Sequence, residues 1–128
     1  MNILDKIKIT LGTISLQEEG IVRYDIDSID EITVQHLKEY LVAIEHFGEG
    51  KKFCNLILMK KFTQIGDEAR KYAASEENNV YTIADAFVIN SVALKIVGNF
   101  YIRYNKPVKP TRLFSNEEDA LGWLRTFL

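Results

Sequence analysis

Val80-Tyr-Thr-Ile-Ala-Asp-Ala-Phe-Val-Ile89 is the most apolar continuous run of the chain, and it decides the predicted fold. The run is short and rich in β-branched and aromatic residues, which is typical of a strand covered on both faces. Asn90-Ser91 ends the strand, and Ser91 is a candidate N-cap for a helix. Apolar residues then recur at helical spacing, at Val92, Ile96, Phe100 and Tyr104. We therefore expect an interior strand followed by an amphipathic helix that folds back over the same sheet.

The N-terminal part of the chain has the alternating pattern of antiparallel strands. In residues 6–26 the apolar positions change parity at Gly12, which predicts a bulge or a sharp bend there. The tract Gln17-Glu-Glu-Gly20 is a turn signal, and a second β run follows it. This pattern predicts an N-terminal β-hairpin.

Helical and strand patterns alternate in the rest of the chain. Apolar spacing from Val34 to Phe47 predicts a helix that ends at Gly48. The other predicted elements are a buried strand at Phe53–Met59, a helix over 65–73 capped by Thr63, a short strand at Thr111–Phe114, and a last helix opened by a capping box at Ser115–Glu118. Helices that connect successive strands of one sheet are crossovers, and they place the later strands parallel. We predict a single α/β domain over residues 1–128, with four helices on a mixed, mostly parallel sheet.

Composition excludes several classes of function. The 128 residues carry 16 basic and 18 acidic side chains, and a net charge of −2 supplies no general attraction for nucleic acid. No apolar stretch is long enough to span a membrane. Cys54 is the single cysteine and no secretion signal is expected, which together indicate a cytoplasmic protein.

The chain resembles the SpoIIAA-like or STAS family of anti-sigma-factor antagonists, in particular a divergent STAS/SEC14-type branch. The resemblance is carried by Ile65-Gly-Asp-Glu-Ala-Arg70, by Ala84-Asp-Ala-Phe-Val-Ile-Asn-Ser91, by Pro110-Thr-Arg-Leu-Phe114 and by Asp119-Ala-Leu-Gly-Trp-Leu124. It covers most of the chain and implies the SpoIIAA-like fold and a protein-interaction role.

The resemblance also implies a phosphorylation switch, but the matching motif differs. STAS antagonists carry an Asp-Ser-Ser-Gly type motif where the central strand gives way to a helix, and a partner kinase phosphorylates the serine. The matching segment here is Lys61-Phe-Thr-Gln-Ile-Gly66, in which Thr63 is the only hydroxyl. Thr63 is therefore a candidate phospho-acceptor, and the alternative is an ordinary N-cap.

Polar side chains at the ends of two predicted strands form a candidate interaction or anion-binding rim. In an open parallel sheet, ligands meet the crevice beyond the carboxyl ends of the strands. The rim residues are Lys60, Lys61, Thr63, Arg70, Asn90 and Ser91. The positive charges suit an anion or an acidic loop of a partner, and the alternative is a capped, solvated edge.

Asp85, His36 and His46 are the titratable residues whose positions raise the question of a catalytic or metal-binding site. Asp85 interrupts an apolar strand, and a buried lone carboxylate costs several kcal/mol, so we expect it to be paired or to face water. A catalytic acid would need a second titrating group nearby, and none stands at suggestive spacing. His36 and His46 lie on one predicted helix but too far apart to share a metal ion, and we expect both at the helix surface.

The sequence favours a non-catalytic cytoplasmic interaction module with a protein partner, no cofactor and no metal. The alternative is a carrier of a small apolar or lipid ligand, as SEC14-type domains imply, which needs a cavity of several hundred Å³. An enzyme is disfavoured because no phosphate loop, nucleophile elbow or metal-ligand cluster is present. We also predict a homodimer, since Tyr101, Ile102 and Trp123 cannot all face one sheet.

Overall fold

The computed structural model describes residues 6–28, 30–61 and 63–128, which build one six-stranded sheet with helices on both faces. The strands are β1 (Lys6–Ile9), β2 (Gly12–Glu18), β3 (Ile21–Ile26), β4 (Phe53–Met59), β5 (Thr82–Ile89) and β6 (Thr111–Phe114). The helices are α1 (Val34–Gly48), α2 (Asp67–Ala74), α3 (Val92–Phe100) and α4 (Glu117–Arg125). A 3₁₀ turn occupies Glu77–Asn79, and a π-helical segment at Tyr101–Asn105 continues α3.

The order of strands in the sheet follows their order in the chain. Strands β1, β2 and β3 pair antiparallel, whereas β3, β4, β5 and β6 pair parallel. The predicted α/β class, the mixed sheet and the four helices are confirmed. Strand β5 lies between β4 and β6, so the predicted interior position of the central strand is confirmed as well.

The predicted N-terminal hairpin is wrong in its number of strands. Residues 6–26 form a three-stranded meander, because the chain reverses completely at Thr10 and Leu11 instead of bending at Gly12. Gly12 begins β2 opposite Ile26, and a β-carbon there would lie 1.8 Å from the carbonyl oxygen of Asp25. Only glycine allows β3 to approach this closely.

Two helix starts also differ from the prediction. Helix α2 begins at Asp67 with Gly66 in the N-cap position, so Thr63 does not cap it. Helix α4 begins at Glu117, and its N-cap is Asn116, whose side chain accepts a hydrogen bond from the amide of Asp119, instead of Ser115. Helix α1 agrees with the prediction and is capped by Thr33.

The two faces of the sheet are covered differently. We call the side that carries α1, α2 and α3 the cavity face, and the side that carries α4 the α4 face. On the cavity face Val22, Tyr24 and Ile57 pack with the buried side of α1. On the α4 face Cys54, Leu56 and five other strand residues pack against Ala120 and Leu124 of α4. Alternate residues of β4 and β5 therefore serve two separate cores.

Candidate functional site

The carboxyl ends of β4 and β5 lie side by side, as the predicted rim requires. Met59 pairs with Ile89 in the parallel register, so the residues that follow each strand leave the sheet at the same edge. Lys60, Lys61, Asn90 and Ser91 are all exposed there. The Ser91 hydroxyl accepts a hydrogen bond from the amide of Leu94 at 3.1 Å, so its predicted role as the N-cap of α3 is confirmed.

Thr63 differs from the other rim residues because it is buried, with 1% of its surface exposed. Its hydroxyl donates to the carbonyl oxygens of Ser28 at 3.1 Å and Lys61 at 3.3 Å. It therefore holds the loop after β4 against the loop after β3. Phosphorylation of Thr63 stays a prediction, and it would require this loop to open before a kinase could reach the hydroxyl.

Arg70 lies on the second turn of α2 and is mostly buried. Its Nη1 atom donates to the carbonyl oxygen of Ile65, and its guanidinium lies 5.0 Å from the centre of the Phe100 ring. The nearest carboxylate is that of Asp67, 3.7 Å from Nη2. Arg70 is thus held by α2 and α3, unlike the exposed lysines of the rim.

Helix α3 packs on the sheet through a different side from the one predicted. The expected inward stripe is exposed: Val92 by 76%, Ile96 by 65%, Phe100 by 42% and Tyr104 by 65%. Leu94 and Tyr101 are buried instead. The residues predicted to be exposed for dimerisation are also misplaced, since Tyr101 is buried and Ile102 and Trp123 are half-buried. We call Val92, Ile96, Phe100 and Tyr104 the α3 stripe.

Asp85 lies at the centre of a buried polar cluster on the cavity face. One carboxylate oxygen accepts from Asn55 Nδ2 at 2.8 Å, and the other lies 3.2 Å from Lys109 Nζ. Lys109 also donates to the carbonyl oxygen of Ala73 at 3.0 Å and to the Tyr101 hydroxyl at 3.3 Å. Of the two alternatives predicted for Asp85, pairing or contact with water, the structure shows the pairing.

Tyr40 completes the cluster by donating from its hydroxyl to Asn55 Oδ1 at 2.8 Å. Burial and the negative charge of Asp85 raise the pKa of Tyr40 well above its ordinary value. The same two causes raise the pKa of Tyr101. Both phenols therefore stay protonated near neutral pH and act as hydrogen-bonding groups.

Sequence reasoning missed Lys109 and Tyr40. Lys109 is separated from Asp85 by 24 positions and lies in an irregular segment between two prolines, so no periodicity marks it. The signal that could have found it is the buried carboxylate itself, which requires a polar or charged partner from elsewhere in the chain. Pro110 accepts a hydrogen bond from the amide of Asp85, which places Lys109 beside that strand.

A cavity of about 140 Å³ lies between the cavity face and helices α1, α2 and α3. Its walls are mainly apolar, and the polar cluster around Asp85 contributes to them. Thr63 and Arg70 also line it, whereas the exposed rim residues Lys60, Lys61, Asn90 and Ser91 do not. The predicted rim is therefore divided between an exposed edge and the cavity.

The two histidines have different surroundings. His46 is exposed, and His36 lies half-buried at the first turn of α1, where its ring nitrogen Nδ1 accepts from the amide of Thr33 at 3.1 Å.

Across residues 6–28, 30–61 and 63–128, no group of three or more His, Cys, Asp or Glu side chains could hold a metal ion. Within the same ranges, no helix has the length and apolar character needed to cross a bilayer.

Comparison with known proteins gives one match. Neither a curated protein nor a solved structure matches the chain. The family model described as "Domain of unknown function (DUF7793)" matches residues 14–128, which is most of the chain. The chain therefore belongs to the DUF7793 family.

Proposed function

We propose that this domain is a non-catalytic, cytoplasmic protein-interaction module of the STAS (SpoIIAA-like) type, which binds an acidic, amphipathic segment of a partner protein. The single observation that carries the proposal is the α3 stripe. Four large apolar residues repeat at every fourth position of one helix and are exposed to solvent. Grouped exposed apolar residues mark interaction sites, whereas singly scattered ones are ordinary.

The geometry of the stripe supports a helix or an extended segment as the occupant. Side chains at every fourth position form a ridge along a helix, which packs into the groove of a second element. The rings of Phe100 and Tyr104 lie 4.6 Å apart and make one broad aromatic surface at the C-terminal end of the stripe. Aromatic side chains of this size are typical anchors of protein interfaces.

The charges around the stripe define the chemistry of the partner. Residues 92–105 contain Lys95 and Arg103 and no acidic residue. Both cations lie one position before a stripe residue and therefore flank the same side of the ridge. Lys60 and Lys61 lie at the sheet edge from which α3 begins. An acidic segment complements this surface, whereas a second copy of α3 would bring like charges together.

The proposal is tested by placing a photo-crosslinking amino acid at position 96 in the native cell and sequencing the cross-linked peptide. The matched control carries the same group at Val42, which is equally exposed, at 66%, but lies on α1. We expect an acidic partner segment to be captured at position 96 only. We expect the double substitution Lys95→Glu and Arg103→Glu to abolish the capture, because it reverses the charge of the flank.

Two other results would contradict the proposal. Equal capture at positions 96 and 42 would mean that the stripe is not a specific surface. Capture of the chain's own α3 would favour the homodimer, which stays a prediction, and sedimentation of the purified protein at low micromolar concentration would then show a dimer.

The lipid-carrier alternative has less support. Pockets for drug-sized ligands measure roughly 300–1,000 Å³, and lipids need at least as much. The cavity on the cavity face is about 140 Å³. We therefore rank the interaction module first.

A further inference from the structure

The cavity has the volume of a single-ring organic molecule. An engineered protein cavity of roughly 150 Å³ lined by apolar side chains holds benzene, and the cavity here is about 140 Å³. Ile57, Phe87, Leu94 and Val97 are among the apolar residues that line it. The cavity is thus one small, mainly apolar compartment.

One positive side chain of the wall, Arg70, has its counter-charge outside the wall. Asp85 and Lys109 both line the cavity, and they neutralise each other at 3.2 Å. Arg70 is the third residue of the wall that is an Asp, Glu, Lys or Arg, and its ion-pair partner Asp67, at 3.7 Å, is not part of the wall. A ligand with one negative charge would balance the cavity.

One edge of the Arg70 guanidinium, formed by Nε and Nη2, has no hydrogen-bond partner among the described residues. Its Nη1 atom is engaged by the carbonyl oxygen of Ile65. Its Nε atom is buried and has no hydrogen-bond partner in the part of the chain that the structure describes. The Nη2 atom lies 3.7 Å from Asp67, which is beyond hydrogen-bond distance. The edge formed by two adjacent guanidinium nitrogens is the one that binds a carboxylate with two parallel hydrogen bonds.

Arg70 is not fully enclosed by the protein. Its side chain is 18% exposed and also forms part of the cavity wall. Asn78 lines the same cavity, and its buried Oδ1 atom also has no partner among the described residues. Unpaired buried polar atoms are uncommon in folded proteins, and a ligand or an ordered water normally satisfies them.

We propose that the cavity binds a small monocarboxylic acid with an apolar, ring-sized body, whose carboxylate pairs with Arg70 and whose body lies against Phe87, Leu94 and Val97. Binding is reversible and involves no covalent step. The proposal does not rest on the proposed function. The two sites meet only where the Arg70 guanidinium lies 5.0 Å from the centre of the Phe100 ring, and Leu94 and Val97 line the cavity from another side of α3. Failure of either test leaves the evidence for the other proposal unchanged.

The test uses benzoate as the probe and the full-length protein, with binding followed by calorimetry and amide chemical shifts. A ligand of this size is expected to bind with a Kd on the order of 1 mM or below. Benzyl alcohol has nearly the same shape without the charge, and we expect it to bind roughly tenfold more weakly or worse. Arg70→Gln should weaken benzoate to the level of benzyl alcohol and leave benzyl alcohol unchanged.

A second variant locates the site. Val97→Phe places a ring in the cavity and should abolish binding of both probes, whereas Val42→Phe, on the exposed side of α1, should change neither. If Arg70→Gln fails to fold by circular dichroism, Arg70→Lys replaces it, with a several-fold loss expected because lysine lacks the two-nitrogen edge.

Three outcomes would overturn the proposal. The first is no detectable binding of benzoate at about 10 mM. The second is equal binding of benzoate and benzyl alcohol to the wild-type protein, which would remove the role of charge. The third is benzoate binding that survives Val97→Phe, which would place the probe elsewhere.

Discussion

The cavity face and the α4 face share two strands but differ in how they are filled. On the α4 face Cys54, Leu56, Ala84, Ala86 and Ala120 have no exposed surface, and a single helix covers them. On the cavity face the same strands carry the larger polar side chains of the Asp85 cluster, and three helices surround a cavity. Small side chains let a helix approach the sheet closely, whereas the polar cluster contacts α2 and the π-helical segment through hydrogen bonds of Lys109 with Ala73 and Tyr101.

The difference teaches how one sheet can hold a closely packed side and a side with a cavity. Side chains alternate along each strand, so Asn55 points to the cavity face while Cys54 and Leu56 point to the α4 face. A partly exposed ion pair also joins α4 to β2, where Arg125 lies 2.7 Å from Glu18. We therefore expect the α4 face to provide packing and the cavity face to provide binding. Three predictions test this comparison.

The largest expected effect is on the cavity face. Lys109→Met leaves the carboxylate of Asp85 buried without its cation, and breaking a buried pair in this way costs about 3–5 kcal/mol. The free energy of unfolding in urea should fall by this amount. The double variant Lys109→Met with Asp85→Asn removes both charges and should recover part of the loss. A single-variant loss below about 1 kcal/mol would show that the pair is not buried as described.

An intermediate effect should separate the two faces by their packing. Ala86→Leu forces extra volume between β5 and α4 and should lower the free energy of unfolding by about 1–3 kcal/mol. Val97→Phe adds volume on the cavity face, where space exists, and should change stability by less than about 1 kcal/mol. Urea unfolding of both variants against the wild type measures the difference. Equal losses would mean that the cavity face is as closely packed as the α4 face.

The smallest effect concerns the thiol of the α4 face. Burial, followed by the negative charge of Asp85, raises the pKa of Cys54 from 9.0 to about 11. In the unfolded chain the thiol loses its proton at lower pH, so its contribution is complete below pH 9 and is lost as the pH rises toward 11. The wild type should therefore lose stability relative to Cys54→Ala as the pH rises from 9.0 to about 11.

Urea unfolding of both proteins at several pH values measures this difference. Tyrosines titrate in the same range, but they are common to both proteins and cancel. A stability difference that does not change with pH would show that the thiol is not protected in the folded state.

Local patterns predicted most elements but not every start. The limits of α1 and β4 follow from apolar spacing and from the glycines and lysines that end them, and the structure agrees with them. The sequence predicts that the hydroxyl of Thr63 caps a helix, yet it donates to the carbonyl oxygen of Ser28, which is distant in sequence. A capping residue and a loop-bridging residue have the same composition, so sequence alone does not separate them.

The sequence by itself determined the α/β class and the interior position of β5, because alternation of strand and helix periodicity is a local property of the chain. Only the tertiary structure decided which side of α3 is buried. Both sides of that helix are apolar, and the choice of Leu94 and Tyr101 over the α3 stripe depends on the sheet and on β6 beneath it. The partner of Asp85 was likewise decided by the fold, since the parallel register of β5 and β6 brings Lys109 beside a carboxylate far away in sequence.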